Sequence, residues 1–201
     1  MGTLLFYVSC SIVSITAVLI SKAGHRAVND EIEYERVKAM AATDPLTGLY
    51  NYRQFQIALS DALQEAARTR GVVSLIYLDL DGFREINNTY GHQSGDDTLK
   101  LVADVLRSSC REKDTISRPG GDEFTVVLPG ASKDEAYGVV KRISANLLGV
   151  KVVSKTAGEL PLELSASYGV ATFPEDGRDI ISIIKSADDE LYRNKNMKNL
   201  T

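Results

Sequence analysis

The stretch Val72-Val73-Ser74-Leu75-Ile76-Tyr77-Leu78-Asp79-Leu80-Asp81 decides the fold. Residues 72–78 form a short, almost continuous apolar run with several β-branched side chains. That is the pattern of a strand buried on both faces. The run stops at Asp79 and Asp81, so the strand ends in carboxylates. Upstream, Phe55, Leu59, Ala62, Leu63 and Ala66 recur at helical spacing, and downstream Leu99, Val102, Val105 and Leu106 mark a second helix. Residues 115–117 and 124–128 flank Gly120-Gly121, as the arms of a β-hairpin do. Ala136, Val139, Val140, Ile143 and Leu147 mark a third helix, and residues 150–154 read as a strand. Leu162, Leu164, Ala166, Tyr168 and Val170 alternate with polar residues, as in a half-buried strand. Ile180, Ile184, Ala187 and Leu191 mark a last helix. The pattern predicts an α+β domain: a mixed central β-sheet flanked by helices, preceded by an N-terminal helix.

The chain has 201 residues, 44% hydrophobic and 25% charged, with a net charge of −4. It can bury a core, and its acidity excludes a dedicated nucleic-acid binder, which needs clustered Lys and Arg. Cys10 and Cys110 form no CxxC or Cys/His set, so neither a zinc site nor a disulfide framework is indicated. Residues 3–21 carry no charge, and about 19 residues is just enough to cross a bilayer core. Lys22 and Arg26 follow the run, which puts the remainder on the cytoplasmic side. Residues 1–24 are therefore expected to span a membrane. A signal peptide, which would want a charged start, and a buried helix are the alternatives. Residues 25–43 contain no Pro or Gly and read as a linker helix, solvated or coiled-coil. Asp44-Pro45 ends it, because the residue before a proline is driven out of helical geometry. The third segment, residues 44–201, is the main domain.

Two acidic clusters stand out: Asp79-Leu80-Asp81 at the strand end and Asp122-Glu123 after the two glycines. A strand end and a hairpin turn can lie side by side on one sheet. Carboxylates gathered there repel unless cations sit between them. Such oxygen-rich sites suit Mg²⁺, and a pair of metals can activate a hydroxyl and stabilise the leaving oxygen of a phosphoryl transfer. The glycines let backbone approach a ligand closely. Either cluster alone is as well explained by solvated turn residues.

The order of motifs breaks that tie. Arg118-Pro119-Gly120-Gly121-Asp122-Glu123-Phe124 resembles the defining motif of GGDEF-domain diguanylate cyclases, and Asp44-Pro45-Leu46-Thr47-Gly48-Leu49-Tyr50-Asn51 resembles that family's opening motif. The segment from Asp79 to Asp96 resembles its metal and guanine segment. Ser167-Tyr168-Gly169-Val170-Ala171 and Ala187-Asp188-Asp189-Glu190-Leu191-Tyr192 resemble its closing motifs. The resemblance implies a nucleotidyl-cyclase domain with a ferredoxin-like core, joining two GTP into cyclic di-GMP and two pyrophosphates. It implies Mg²⁺, two per site, with Mn²⁺ able to replace it. Asp79, the Leu80 carbonyl, Asp122 and Glu123 would hold the metal, with Asp122 also accepting the proton of the attacking 3′-hydroxyl. Asn87 and Asp96 would bond the guanine edge with His92 nearby, since a carboxylate accepts from the N–H pair that guanine has and adenine lacks. Arg84 and Lys195 would contact the triphosphate, and Gly120 and Gly121 would line it.

Arg111-Glu112-Lys113-Asp114 resembles the family's RxxD inhibitory product site, with Arg142 as a second basic element; bidentate arginine suits phosphate. Three departures are visible. Pro119 replaces the usual residue before the glycines and removes a backbone donor. Tyr52 interrupts a basic pair, and Lys198 stands near a missing arginine. The scheme requires a homodimer, because one domain holds one GTP. The uncharged run and the charges after it place the catalytic domain in the cytoplasm at a bacterial inner membrane, or wholly in the cytoplasm if the run is not a true span, and residues 1–43 are expected to set subunit pairing. The rivals are a catalytically silent module that senses cyclic di-GMP or GTP, and a membrane-anchored scaffold.

Overall fold

β1 (Val73–Leu80) is bonded on both sides, to β3 (Glu123–Pro129) and β6 (Ala166–Phe173). This double pairing is why its side chains are apolar on both faces. β2 (Thr115–Gly120) pairs outside β3, giving the order β2-β3-β1-β6. The computed structural model describes residues 42–154, 158–159 and 163–198. The expected membrane span (1–24), and the linker helix (25–43) except for its last two residues, lie outside them. Among the described residues no helix is long and apolar enough to cross a membrane.

The α+β class and the helix-flanked sheet are as expected, but the ladders are not mixed. All three are antiparallel, and the parallel pairing among the described residues is the isolated bridge Tyr50–Ser117. The reason is topological. Each helical crossover joins strands that run the same way, and an antiparallel strand lies between the two members of each pair: β3 between β1 and β2, and β1 between β3 and β6. A small separate ladder pairs β4 (Val153–Ser154) with β5 (Gly158–Glu159). The last long strand starts at Ala166 rather than 162; Leu164 is buried without joining the ladder.

Alternation along β1 sorts the core in two. Ile76, Leu78 and Leu80 pack with α3 (His92–Ser109) and α4 (Lys133–Leu148), while Val73 and Leu75 pack with α1 (Tyr52–Thr69) and α5 (Ile180–Lys198). The Asn51 side chain accepts the Gln54 N–H to start α1, and Ser132 with Glu135 forms a capping box on α4. α2 (Phe83–Tyr90) has no counterpart in the sequence pattern, because only Ile86 of it is buried and no apolar stripe exists to find. Gly169 lets α5 lie directly on β6: a Cβ there would collide with the Ala187 carbonyl and the Leu191 nitrogen.

Candidate functional site

The hairpin turn is built by glycine and relieved by a bulge. Gly120 pairs with Glu123, and Gly121 adopts φ 55°, a left-handed conformation that glycine takes without penalty. The register shifts between Ser117 and Gly120. Pro119 falls inside that irregularity, so its missing N–H removes no ladder bond. Arg118 leaves the ladder to work elsewhere. Its N–H donates to the Tyr50 carbonyl, its Nε and Nη2 donate to the Gly121 carbonyl at 3.0 and 2.6 Å, and its Nη1 pairs with Asp44 at 3.0 Å. Asp44 in turn accepts the Thr47 N–H and hydroxyl. Burial alone would raise the Asp44 carboxyl, but the Thr47 and Arg118 donors outweigh it and hold the carboxyl below its usual range.

The two acidic clusters meet on one face. Asp79 lies directly opposite Glu123 in the β1–β3 ladder, and the Leu80 N–H donates to the Asp122 carbonyl at 3.2 Å. Burial pushes the Asp79 carboxyl up, and the charges of Asp122 and Asp81 add to the push; Lys195 only partly offsets it. Glu123 is raised likewise, first by burial, then by Asp79, Asp122 and Asp188. Lys195 Nζ stands 2.6 Å from the buried Asp79 Oδ1, an ion pair. Among the described residues, no three His, Cys, Asp or Glu side chains converge as a ready metal cage.

Beside these acids lies a cavity of about 350 Å³ lined by Leu80, Asp81, Gly82, Ser165, Lys195 and Lys198. Asp81 accepts from Ser165 and Ser167, each at 2.7 Å, and from Lys198 at 2.7 Å. Burial raises its carboxyl, but these donors outweigh it and set it below its usual range. Lys198 also donates to the Ala166 carbonyl. Sequence could not show these contacts, nor the bond from the Tyr77 hydroxyl to Glu123 at 3.3 Å, since each needs a three-dimensional register.

α2 and α3 bring Asn87 against Gly95, the residue before Asp96. A Cβ on Gly95 would strike the Asn87 amide oxygen. His92, the first residue of α3, and Arg84 on α2 are exposed, and among the described residues no hydrogen bond or ion pair joins either to the acids. Gly120 and Gly121 are exposed in the turn, with nothing in the way of an added Cβ. The RxxD segment lies at the far end of β2, roughly 17 Å away at about 3.3 Å per residue. There Asp114 accepts the Arg111 N–H at 2.7 Å, which leaves the Asp side chain folded back on its own loop. Arg142 reaches the same place from α4, donating to the Ser109 carbonyl at 2.8 Å.

This sheet and this acidic turn match a known family. The model described as "Diguanylate cyclase, GGDEF domain" matches residues 41–200, and the chain belongs to that family. It is 38% identical over 174 residues to diguanylate cyclase DgcP of Pseudomonas aeruginosa, covering 85% of this chain and 24% of that protein. It is 35% identical over 162 residues to cyclic di-GMP phosphodiesterase PdeR of Escherichia coli, covering 80% and 23%. The chain thus spans about a quarter of the length of these two relatives. Among solved structures, the GGDEF domain of DgcB from Caulobacter crescentus in complex with c-di-GMP superposes with a TM-score of 0.72 at 29% identity, over 78% of this chain and 91% of that one.

Proposed function

We propose that the chain is a diguanylate cyclase that condenses two GTP into cyclic di-GMP and two pyrophosphates. The observation that carries this reading is the meeting of Asp79 with Glu123 on neighbouring strands, with Asp122 in the turn, beside a lysine-lined cavity. The donor set fits Mg²⁺ or Mn²⁺. It is hard oxygen only, burial and neighbouring negative charge raise the Asp79 and Glu123 carboxyls, and the buried Asp79 Oδ1 has Lys195 as its cationic neighbour. Asp79, the Leu80 carbonyl, Asp122 and Glu123 would hold the metal, with nucleotide phosphate oxygens completing a set that the side chains do not complete alone. When bound, divalent cations favour the alkoxide and neutralise the departing pyrophosphate.

The chain's own residues supply the rest. Asp122 accepts the 3′-hydroxyl proton. Asp96 accepts from the guanine N–H pair and Asn87 bonds the same edge, with His92 at the rim. Lys195 exchanges Asp79 for phosphate, and Arg84 adds a second cation. Gly120 and Gly121 keep the turn open to the nucleotide. Two such domains must face each other, so the active form is a homodimer. Arg111, Asp114 and Arg142 bind cyclic di-GMP and inhibit. Residues 1–24 anchor the protein, and the catalytic domain works in the cytoplasm.

The deciding experiment incubates the purified chain with GTP and Mg²⁺ and resolves products by chromatography. Cyclic di-GMP should accumulate, and Asp122→Ala should cut its rate by roughly a hundred-fold or more. Arg111→Ala should let product build higher before synthesis stalls. Binding of cyclic di-GMP without turnover would support the sensor instead, and indifference of every property to Asp122→Ala would support the scaffold.

A further inference from the structure

Tyr77 is not one of the acids and lies outside every motif that carries the family resemblance. It nonetheless reaches into the site. In the β1–β3 ladder Tyr77 lies opposite Thr125, so Glu123 is its diagonal neighbour on the same face. An aromatic side chain spans that diagonal comfortably. The Tyr77 hydroxyl donates to Glu123 Oε2 at 3.3 Å, and the residue is only partly buried, packed at the edge of the core formed with α1 and α5.

The neighbours of Glu123 make this contact informative. Asp79, Asp122 and Asp188 all bear negative charge toward it, and the Tyr77 hydroxyl is the hydrogen-bond donor seen on its carboxylate. Without that donor the Glu123 side chain would be free to swing away from three like charges. With it, Oε2 is tethered to Tyr77 on a residue that lies opposite Asp79 in the ladder. A neutral hydroxyl does this without competing for the site as a lysine would. Carboxylates that bind metals are commonly fixed by such outer hydrogen bonds.

We infer that Tyr77 is a positioning residue that holds Glu123 in its metal-binding rotamer, and so sets the affinity of the site for divalent cation. The inference rests on the metal role proposed above for Glu123. Removing the hydroxyl forfeits one hydrogen bond on a half-buried ring, a change the fold tolerates.

The test titrates Mn²⁺ into the full chain with a GTP analogue carrying a non-cleavable bridge between the α- and β-phosphates, following free Mn²⁺ by electron paramagnetic resonance. Tyr77→Phe should raise the Mn²⁺ dissociation constant about ten-fold. In a Glu123→Gln background the same change should add nothing. In turnover assays Tyr77→Phe should shift the Mg²⁺ half-saturation upward, while kcat at saturating Mg²⁺ and KM for GTP stay within about two-fold, the size of an unperturbed site. Wild-type Mn²⁺ affinity in Tyr77→Phe, or effects that add in the double variant, overturns the inference and leaves the cyclase reading standing. Failure of the wild-type protein to bind Mn²⁺ with the analogue overturns both.

Discussion

Glu123 sits where folding alone would not put a carboxylate. Its carboxyl is raised by burial and by three acidic neighbours, so its charged form is less welcome in the folded chain than in the unfolded one. The linkage follows from the sign. The folded state holds the proton more tightly, so the penalty is absent below the usual carboxylate range and complete once pH exceeds the folded value. At neutral pH, Glu123→Gln should therefore raise the melting temperature of the protein without added metal or nucleotide, by about 0.5–1 kcal/mol of stability. On the proposed chemistry, the same variant should form cyclic di-GMP at a small fraction of the wild-type rate. A melting temperature that falls instead would mean that the charge repulsion inferred around Glu123 is unimportant. Asp81 behaves oppositely: Ser165, Ser167 and Lys198 make its charge comfortable, which marks it as a structural partner of the cavity wall.

At the level of elements, α5 is docked by what β6 lacks. Gly169 brings the sheet against the helix backbone at Ala187 and Leu191, and no side-chain rotation can clear an added methyl there. Gly169→Ala should cost about 3 kcal/mol in urea unfolding, at the upper end of overpacking effects. It should also displace Lys195, which rides the last turns of the same helix. β1 and the long helices were legible because each has a buried stripe of its own period: Phe55, Leu59, Leu63 and Ala66 on α1, and Ala136, Val139, Val140, Ile143 and Leu147 on α4. α2 was not, since a short helix that buries Ile86 alone leaves no period to detect. The segment 150–154 was only partly legible: two residues of it pair, Val153 and Ser154. The antiparallel ladders escaped because strand direction depends on which strand is inserted where, and no local pattern encodes that.

On the scale of the whole molecule, residues far apart in sequence are drawn together by ion pairs. Arg118 and Asp44 are 74 positions apart, and both are largely buried where they meet. The Asp44 carboxyl is lowered, so its contribution is in full force above the ordinary aspartate value of 3.8 and drains away as pH falls below it. Asp44→Asn should cost about 2 kcal/mol at pH 7, the scale of a partly buried charged hydrogen bond. Melts at pH 3 should show the gap to wild type closing; a gap that persists there would mean the loss is steric, not ionic. The identities of Asp79, Asp122 and Glu123 as one acidic face were legible from motif order. The lysine partners and the Tyr77 bond were not, because they join β1 and the residue just past it to partners 46 to 117 positions away.

The notch in β2 also bears on how copies of this protein avoid one another. β2 is the outermost strand on its side, and such a rim normally offers unpaired amides to any passing chain. Here the rim is interrupted by a residue that has no amide hydrogen to give, and the backbone of Tyr50 already covers Ser117 and Arg118. Among the described residues, the edge of the sheet nearest the Gly120-Gly121 turn is thereby a poor template for fibril growth.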